Sequence, residues 1–151
     1  MHSGEFEQAR DILLSSLNAT KTGSVALNPQ NLYLAIDLAW VFKQLEQPLK
    51  AKSLLTKIEQ AVKDTSKPAS YELWDKIHLE AVKENTKQAA LSYAELVESN
   101  RISYWWLLNS SPLLTKVIKQ PEYIKAHQKL RDKLKKKREN LAKLEAEDKK
   151  P

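Results

Sequence analysis

Gln47-Pro48-Leu49-Lys50-Ala51-Lys52-Ser53-Leu54-Leu55 opens a helix and displays its apolar face within the first few turns. Proline fits the first helical position, because the N–H it lacks has no intrahelical partner there. Ala51, Leu54, Leu55, Ile58 and Val62 then recur at helical spacing with lysines between them. A small residue at Ala51 with a large one at Leu55, one turn on, lets a second helix approach closely and pack ridge into groove. The arrangement returns downstream as Thr86-Lys87-Gln88-Ala89-Ala90 with Ala94. Upstream it appears as Gly4-Glu5-Phe6-Glu7-Gln8-Ala9 with Leu13. On this reading Ala9, Ala51 and Ala90 are equivalent positions.

Between these segments lie further helices. Phe6, Ala9, Ile12, Leu13 and Leu17 share one face of a helix from Glu5 to Leu17, followed by a loop from Asn18 to Asn28 that contains Gly23. Asn28-Pro29 is an N-cap with proline behind it, starting a helix that carries Leu32, Ile36, Ala39, Trp40 and Phe42 to about Leu45. Ser66-Lys67-Pro68 opens the next, with Trp74, Ile77, Ala81 and Val82, and Glu84-Asn85-Thr86 is a short turn before a helix from Ala89 to Val97. Leu38-Ala39 with Phe42 and Ile77-His78 with Ala81 occupy matching places in the two first helices. Pro112 and Pro121 each mark a helix start, and Glu122 to Glu147 reads as one long helix. The fold class is all-α, with residues 1–120 forming helical repeats and 121–151 a long basic capping helix of the same domain.

Paired helices with small residues at their crossings resemble the tetratricopeptide repeat. The resemblance implies a right-handed α–α superhelix, a solenoid closed by the long basic helix, whose first unit lacks its first helix. Three features depart from that family: a spacing above the usual ~34 residues, Glu46 in place of the inter-helix glycine, and no closing proline. The order Ala89-Ala90-Leu91-Ser92-Tyr93, Tyr104-Trp105-Trp106-Leu107, Pro112-Leu113-Leu114, Gln120-Pro121-Glu122-Tyr123 is similar to the closing segment of helical repeat domains in bacterial winged-helix transcriptional regulators and related signalling proteins. That likeness implies the C-terminal sensory or interaction part of a regulator. It implies a periplasmic place if a membrane span precedes it, and otherwise a cytoplasmic one.

The chain has 151 residues with 25 basic and 19 acidic side chains, a formal charge of +6, 2 glycines and no cysteine. So few glycines argue against glycine-rich phosphate loops, and the absence of cysteine excludes disulfides, thiolate metal sites and a cysteine nucleophile. No apolar run approaches the ~20 residues a membrane helix needs. The N-terminus His2-Ser3-Gly4-Glu5 lacks a basic stretch leading into an apolar one, so no signal peptide is expected. The excess charge is local: residues 1–120 carry a net +1 and residues 121–151 a net +5. It centres on Lys133, Lys135, Lys136, Lys137 and Arg138.

No catalytic pattern emerges. His2, His78 and His127 include no i, i+4 pair for a metal, and Asp75 and Glu80 are five apart, off one another's helix face. There is no Gly-x-Ser-x-Gly elbow. The chain is therefore read as a non-enzymatic module without cofactor that binds a protein or peptide partner. If the repeat holds, the groove takes side chains from Tyr33, Ile36, Trp40, Lys43, Glu72, Asp75 and Leu79. The set lacks the ordered Lys and Asn pattern with which chaperone-binding relatives clamp a C-terminal carboxylate. On the last helix Tyr123, Ile124 and Leu130 read as capping positions, and Leu130, Leu134, Leu141 and Leu144 keep a heptad-like seam broken at Lys137. Lys133, Lys136, Lys137 and Arg138 are candidates for a homodimer contact or a polyanion. Glu139, Glu145, Glu147 and Asp148 interrupt the basic run, and no aromatic lies among the lysines to stack bases, so nucleic acid is not expected. The second reading is a small basic adaptor that binds nucleic acid or an anionic surface through residues 129–143.

Overall fold

A computed structural model describes residues 3–18, 25–28, 30–64, 69–99 and 111–147. The described residues form α1 (Ser3–Ser16), α2 (Leu32–Gln44), α3 (Pro48–Asp64), α4 (Ala69–Val82), α5 (Thr86–Glu98), a 3₁₀ turn (Pro112–Leu114) and α6 (Pro121–Glu147), with no strand among them. Pro121 starts its helix as expected, whereas Pro112 starts only the 3₁₀ turn. The Ser66-Lys67-Pro68 start and the Trp105-Trp106 pair lie outside the described residues. Asn28 is not the N-cap that the sequence suggested: Asn31 takes that place, and Asn28 closes the turn ahead of it. The Asn28 Oδ1 accepts from the Asn31 N–H (3.1 Å) while Asn31 Oδ1 accepts from the Asn28 N–H (2.9 Å), a reciprocal pair that fixes the turn leading into the helix. Regular α-helix then begins at Leu32.

How the helices reverse explains how they pair. At the end of α2 the Gln47 N–H donates to the Phe42 carbonyl (2.9 Å) and the Glu46 N–H to the Lys43 carbonyl (3.1 Å). At the end of α4 the Asn85 N–H donates to Glu80 (2.9 Å) and the Glu84 N–H to Ala81 (3.0 Å). Both are Schellman closures, which satisfy helix-terminal carbonyls by putting one residue in the left-handed region. Glycine ordinarily takes that place, but here it is Glu46 (φ 55°) and Glu84 (φ 67°). The second helix then starts at once, with Ala51 N–H bonding Gln47 and Ala89 N–H bonding Asn85. Glu46 and Glu84 lie 38 positions apart, so the partner of Ala51 is Ala89, not Ala90. Both Ala89 and Ala90 are fully buried, which is why burial pattern alone could not separate them.

The helices pack as pairs. α2 lies on α3 and α4 on α5, α2 meets α4 to join the pairs, α1 covers α2, and α6 covers α5. Leu32, Ile36, Leu38, Ile58, Ile77, Val82, Tyr93, Leu96, Leu114 and Val117 form a continuous core. Each such side chain contributes about 1.5–3 kcal/mol of apolar burial. Tyr93 on α5 stacks on Tyr123 of α6 at 4.2 Å between ring centres, and Ala126 and Leu130 continue the buried stripe. Ile124, expected among the capping residues, is 57% exposed, because it follows Tyr123 by one position and so turns off the stripe. From Lys135 to Ala146 every α6 side chain is exposed.

A lysine joins the two turns. Lys43, whose carbonyl belongs to the first Schellman closure, sends its Nζ to the Val82 carbonyl at the end of α4 (2.7 Å) and lies 3.6 Å from the Glu84 carboxylate. Cations are favoured at helix C-termini, where carbonyls lack partners. Lys133 of α6 does the same for α5, donating to the Val97 carbonyl (2.9 Å).

Two outcomes follow for urea unfolding. Glu46→Gly relieves the left-handed conformation and raises stability by about 1 kcal/mol. Lys43→Met strands the Val82 carbonyl and lowers it by about 1–2 kcal/mol.

Candidate binding face

The joined first helices, α2 and α4, leave one face unburied. On α2 it carries Tyr33, Asp37, Trp40 and Gln44, spaced by four, three and four and thus on one side of the helix. On α4 it carries Trp74 and His78, both half-buried. Tyr33 is 57% exposed. Trp40 meets Phe6 of α1 edge to face, with ring centres 5.6 Å apart. Trp74 stacks on His78 at 5.9 Å, and the His78 Nδ1–H donates to the Trp74 carbonyl (2.9 Å). A carbonyl can only accept, so Nδ1 carries a proton.

Asp37 is the unusual member. It is half-buried and has no hydrogen-bond or ion-pair partner among the described residues. Burial holds its carboxyl above the usual carboxylate range, and the positive charge available to His78 offsets this in part. A half-buried acceptor flanked by aromatic side chains can accept from an N–H or a cation while the rings cover apolar groups.

The structure redistributes the predicted groove residues. Tyr33 and Trp40 do present surface on this face. Ile36 (0% exposed) and Leu79 (6%) are core, and Asp75 (9%) is also buried. One helical position is a rotation of about 100°, enough to turn Ile36 inward while Asp37 faces out. Lys43 is spent on the Val82 carbonyl and joins the turns rather than lining the face. The Glu72 side chain lies outside the described residues. Sequence reasoning missed Asp37, although its spacing from Tyr33 and Trp40 was the available signal. Glu80 is taken by Asn85 Nδ2 (2.7 Å) and Lys83 (3.3 Å), so it forms no acid–base pair with Asp75.

On α6, Lys133 is a helix cap, and Lys129 pairs with Glu98, whose carboxyl it holds below its ordinary range. Lys136, Lys137 and Arg138 are exposed. His127 belongs to the α5–α6 packing. It shares a 2.9 Å hydrogen bond with the Tyr93 hydroxyl and stacks on Tyr123 at 5.6 Å. Among the described residues no three His, Asp or Glu side chains converge as metal ligands would.

The His127 cluster makes a pH prediction. Burial, aided by Arg131, pushes the imidazole below its ordinary value of about 6.5. The unfolded chain therefore takes up the proton first as pH falls, and stability declines from about pH 6.5 until the folded-state imidazole also titrates. His127→Gln keeps a polar partner for Tyr93 without a titrating ring. The urea midpoint of that variant falls less between pH 7.5 and 5.5 than that of the parent chain; an equal fall rules out the cluster as the cause.

Comparison with known proteins leaves these residues to speak for the chain: no protein-family model, curated protein or solved structure matches it.

Proposed function

We propose that the chain is a tetratricopeptide-like solenoid segment, a non-enzymatic module that binds a protein or peptide partner along the α2–α4 face. What carries the reading is Asp37, a half-buried carboxyl with no hydrogen-bond or ion-pair partner among the described residues, on an otherwise aromatic face. Keeping such a group costs stability, and groups of this kind cluster at functional sites. The matching Schellman closures 38 positions apart support the repeat, since both hairpins reverse by the same bonds and meet through their first helices. Stacked hairpins of this kind form an extended surface suited to a peptide or a partner helix. The role within a larger bacterial regulator rests on the sequence likeness of residues 86–141.

The ligand that suits this face has apolar side chains for Tyr33, Trp40 and Trp74 and a donor or cation for Asp37. Selection of peptides from a random library against the folded chain tests this directly. Tyr33→Ala and Asp37→Asn each weaken the selected peptides at least tenfold, in keeping with the ~1.4 kcal/mol that a tenfold change represents. Asp37→Asn at the same time raises the urea midpoint at neutral pH, because the raised carboxyl makes its ionisation unfavourable to folding. Peptides that bind both variants as tightly as the parent chain contradict the assignment.

A further inference from the structure

The α2–α4 face holds a carboxyl group that the lysines and arginines around it leave alone. Asp37 follows Tyr33 by four positions and precedes Trp40 by three, so an aromatic side chain neighbours it on either side along α2. Trp40 is braced by Phe6 of α1, edge to face at 5.6 Å. Across the joint, the charge available to His78 acts on Asp37, yet the His78 Nδ1–H is bonded to the Trp74 carbonyl (2.9 Å). Asp37 itself has no hydrogen-bond or ion-pair partner among the described residues.

The helices that make the face carry Arg10, Lys43 and Lys76 as their only lysines and arginines, and each is engaged elsewhere. Arg10 lies 2.7 Å from Asp11, Lys43 bonds the Val82 carbonyl at 2.7 Å, and Lys76 lies 3.9 Å from Glu95 of α5. Lys83, directly after α4, pairs with Glu59 at 2.9 Å. A half-buried carboxylate without a counter-charge is costly, and a cation that also donates hydrogen bonds relieves the cost. Of the cationic side chains a protein partner carries, arginine suits this place. Its guanidinium is weakly hydrated, offers a carboxylate two parallel N–H bonds and lies against aromatic faces. A lysine ammonium is a strongly hydrated point charge that gives up more water on entering such a site.

On the reading that a partner sits along the α2–α4 face, on which this rests, we infer that the partner's anchor is an arginine side chain, its guanidinium bonded to Asp37 and bordered by the Tyr33 and Trp40 rings. Tyr33, 57% exposed, is the ring open to the incoming group, and Trp40, held by Phe6, is the fixed one. Apolar groups beside that arginine then meet the indole of Trp74.

Blocked tripeptides test it: acetyl-leucyl-X-leucine amides in which X is arginine, lysine or citrulline, the last an uncharged group of arginine's shape. Each is titrated into isotope-labelled chain at constant ionic strength while backbone amide and tryptophan indole NMR signals are followed. The arginine peptide moves the signals of Tyr33, Asp37 and Trp40, and the citrulline peptide binds about tenfold more weakly, with lysine between them. Asp37→Asn, shown by circular dichroism to stay folded, binds the arginine and citrulline peptides alike. Equal affinity of the parent chain for all three peptides overturns the inference, as does an arginine preference that survives in Asp37→Asn, or an arginine peptide that leaves the face unmoved. Peptides from the random library separate this failure from a wider one. If they still bind along α2–α4, only the arginine anchor is lost; if they too leave the face unmoved, the binding face falls with it.

Discussion

Everything in this fold depends on ending a helix without glycine. α2 and α4 must each stop and hand over to an antiparallel partner within three residues, leaving no buried carbonyl unpaired. The chain does this twice with the same pair of backbone bonds and a glutamate in the left-handed region. Each left-handed glutamate costs something of the order of 1 kcal/mol relative to glycine. The tethering by Lys43 offsets part of that cost, since one residue contributes its carbonyl to the first turn and its ammonium to the end of the second. The distance between the hairpins is therefore set by side-chain chemistry at the turns as well as by the apolar faces between them.

Much of this was legible in the sequence. The proline at Pro48 and the apolar periodicity marked α2 and α3 to within a few residues, because these signals act locally, although the cap fell at Asn31 and not at Asn28. The likeness of the two hairpin turns was hinted at by Ala51 and Ala89-Ala90, but their register was not, since two adjacent alanines fit the same small gap. Glu46 looked like a departure from a glycine position, whereas it performs that position's task through a backbone conformation that residue identity does not announce. Lys43 and Lys133 were read as ligand-facing because long basic side chains usually are. Their capping of other helices is a tertiary fact, visible only once α4 and α5 are in place.

The candidate binding face illustrates a different limit. A helical wheel error of one residue separates a core isoleucine, Ile36, from a half-buried carboxyl, Asp37. The apolar pattern draws attention to the residue that folds the protein and away from its neighbour. What singles out Asp37 is energetic: burial without a partner, in a chain where Glu98, Glu80 and Glu59 all have lysine or amide partners. The basicity of the chain likewise resolves into separate tasks. Lys43, Lys83, Lys129 and Lys133 tie helices together, and only the lysines and arginine beyond residue 134 belong to a helix that leaves the body.

The central claim is that the α2–α4 face is where a partner sits. Backbone amide and tryptophan indole NMR shifts, followed while a selected peptide is titrated into labelled chain, test it most directly. The account predicts that the largest changes gather at Tyr33, Asp37, Trp40, Trp74 and His78, with residues 135–146 unmoved. Changes concentrated on the projecting half of α6, with the α2–α4 face silent, would contradict it.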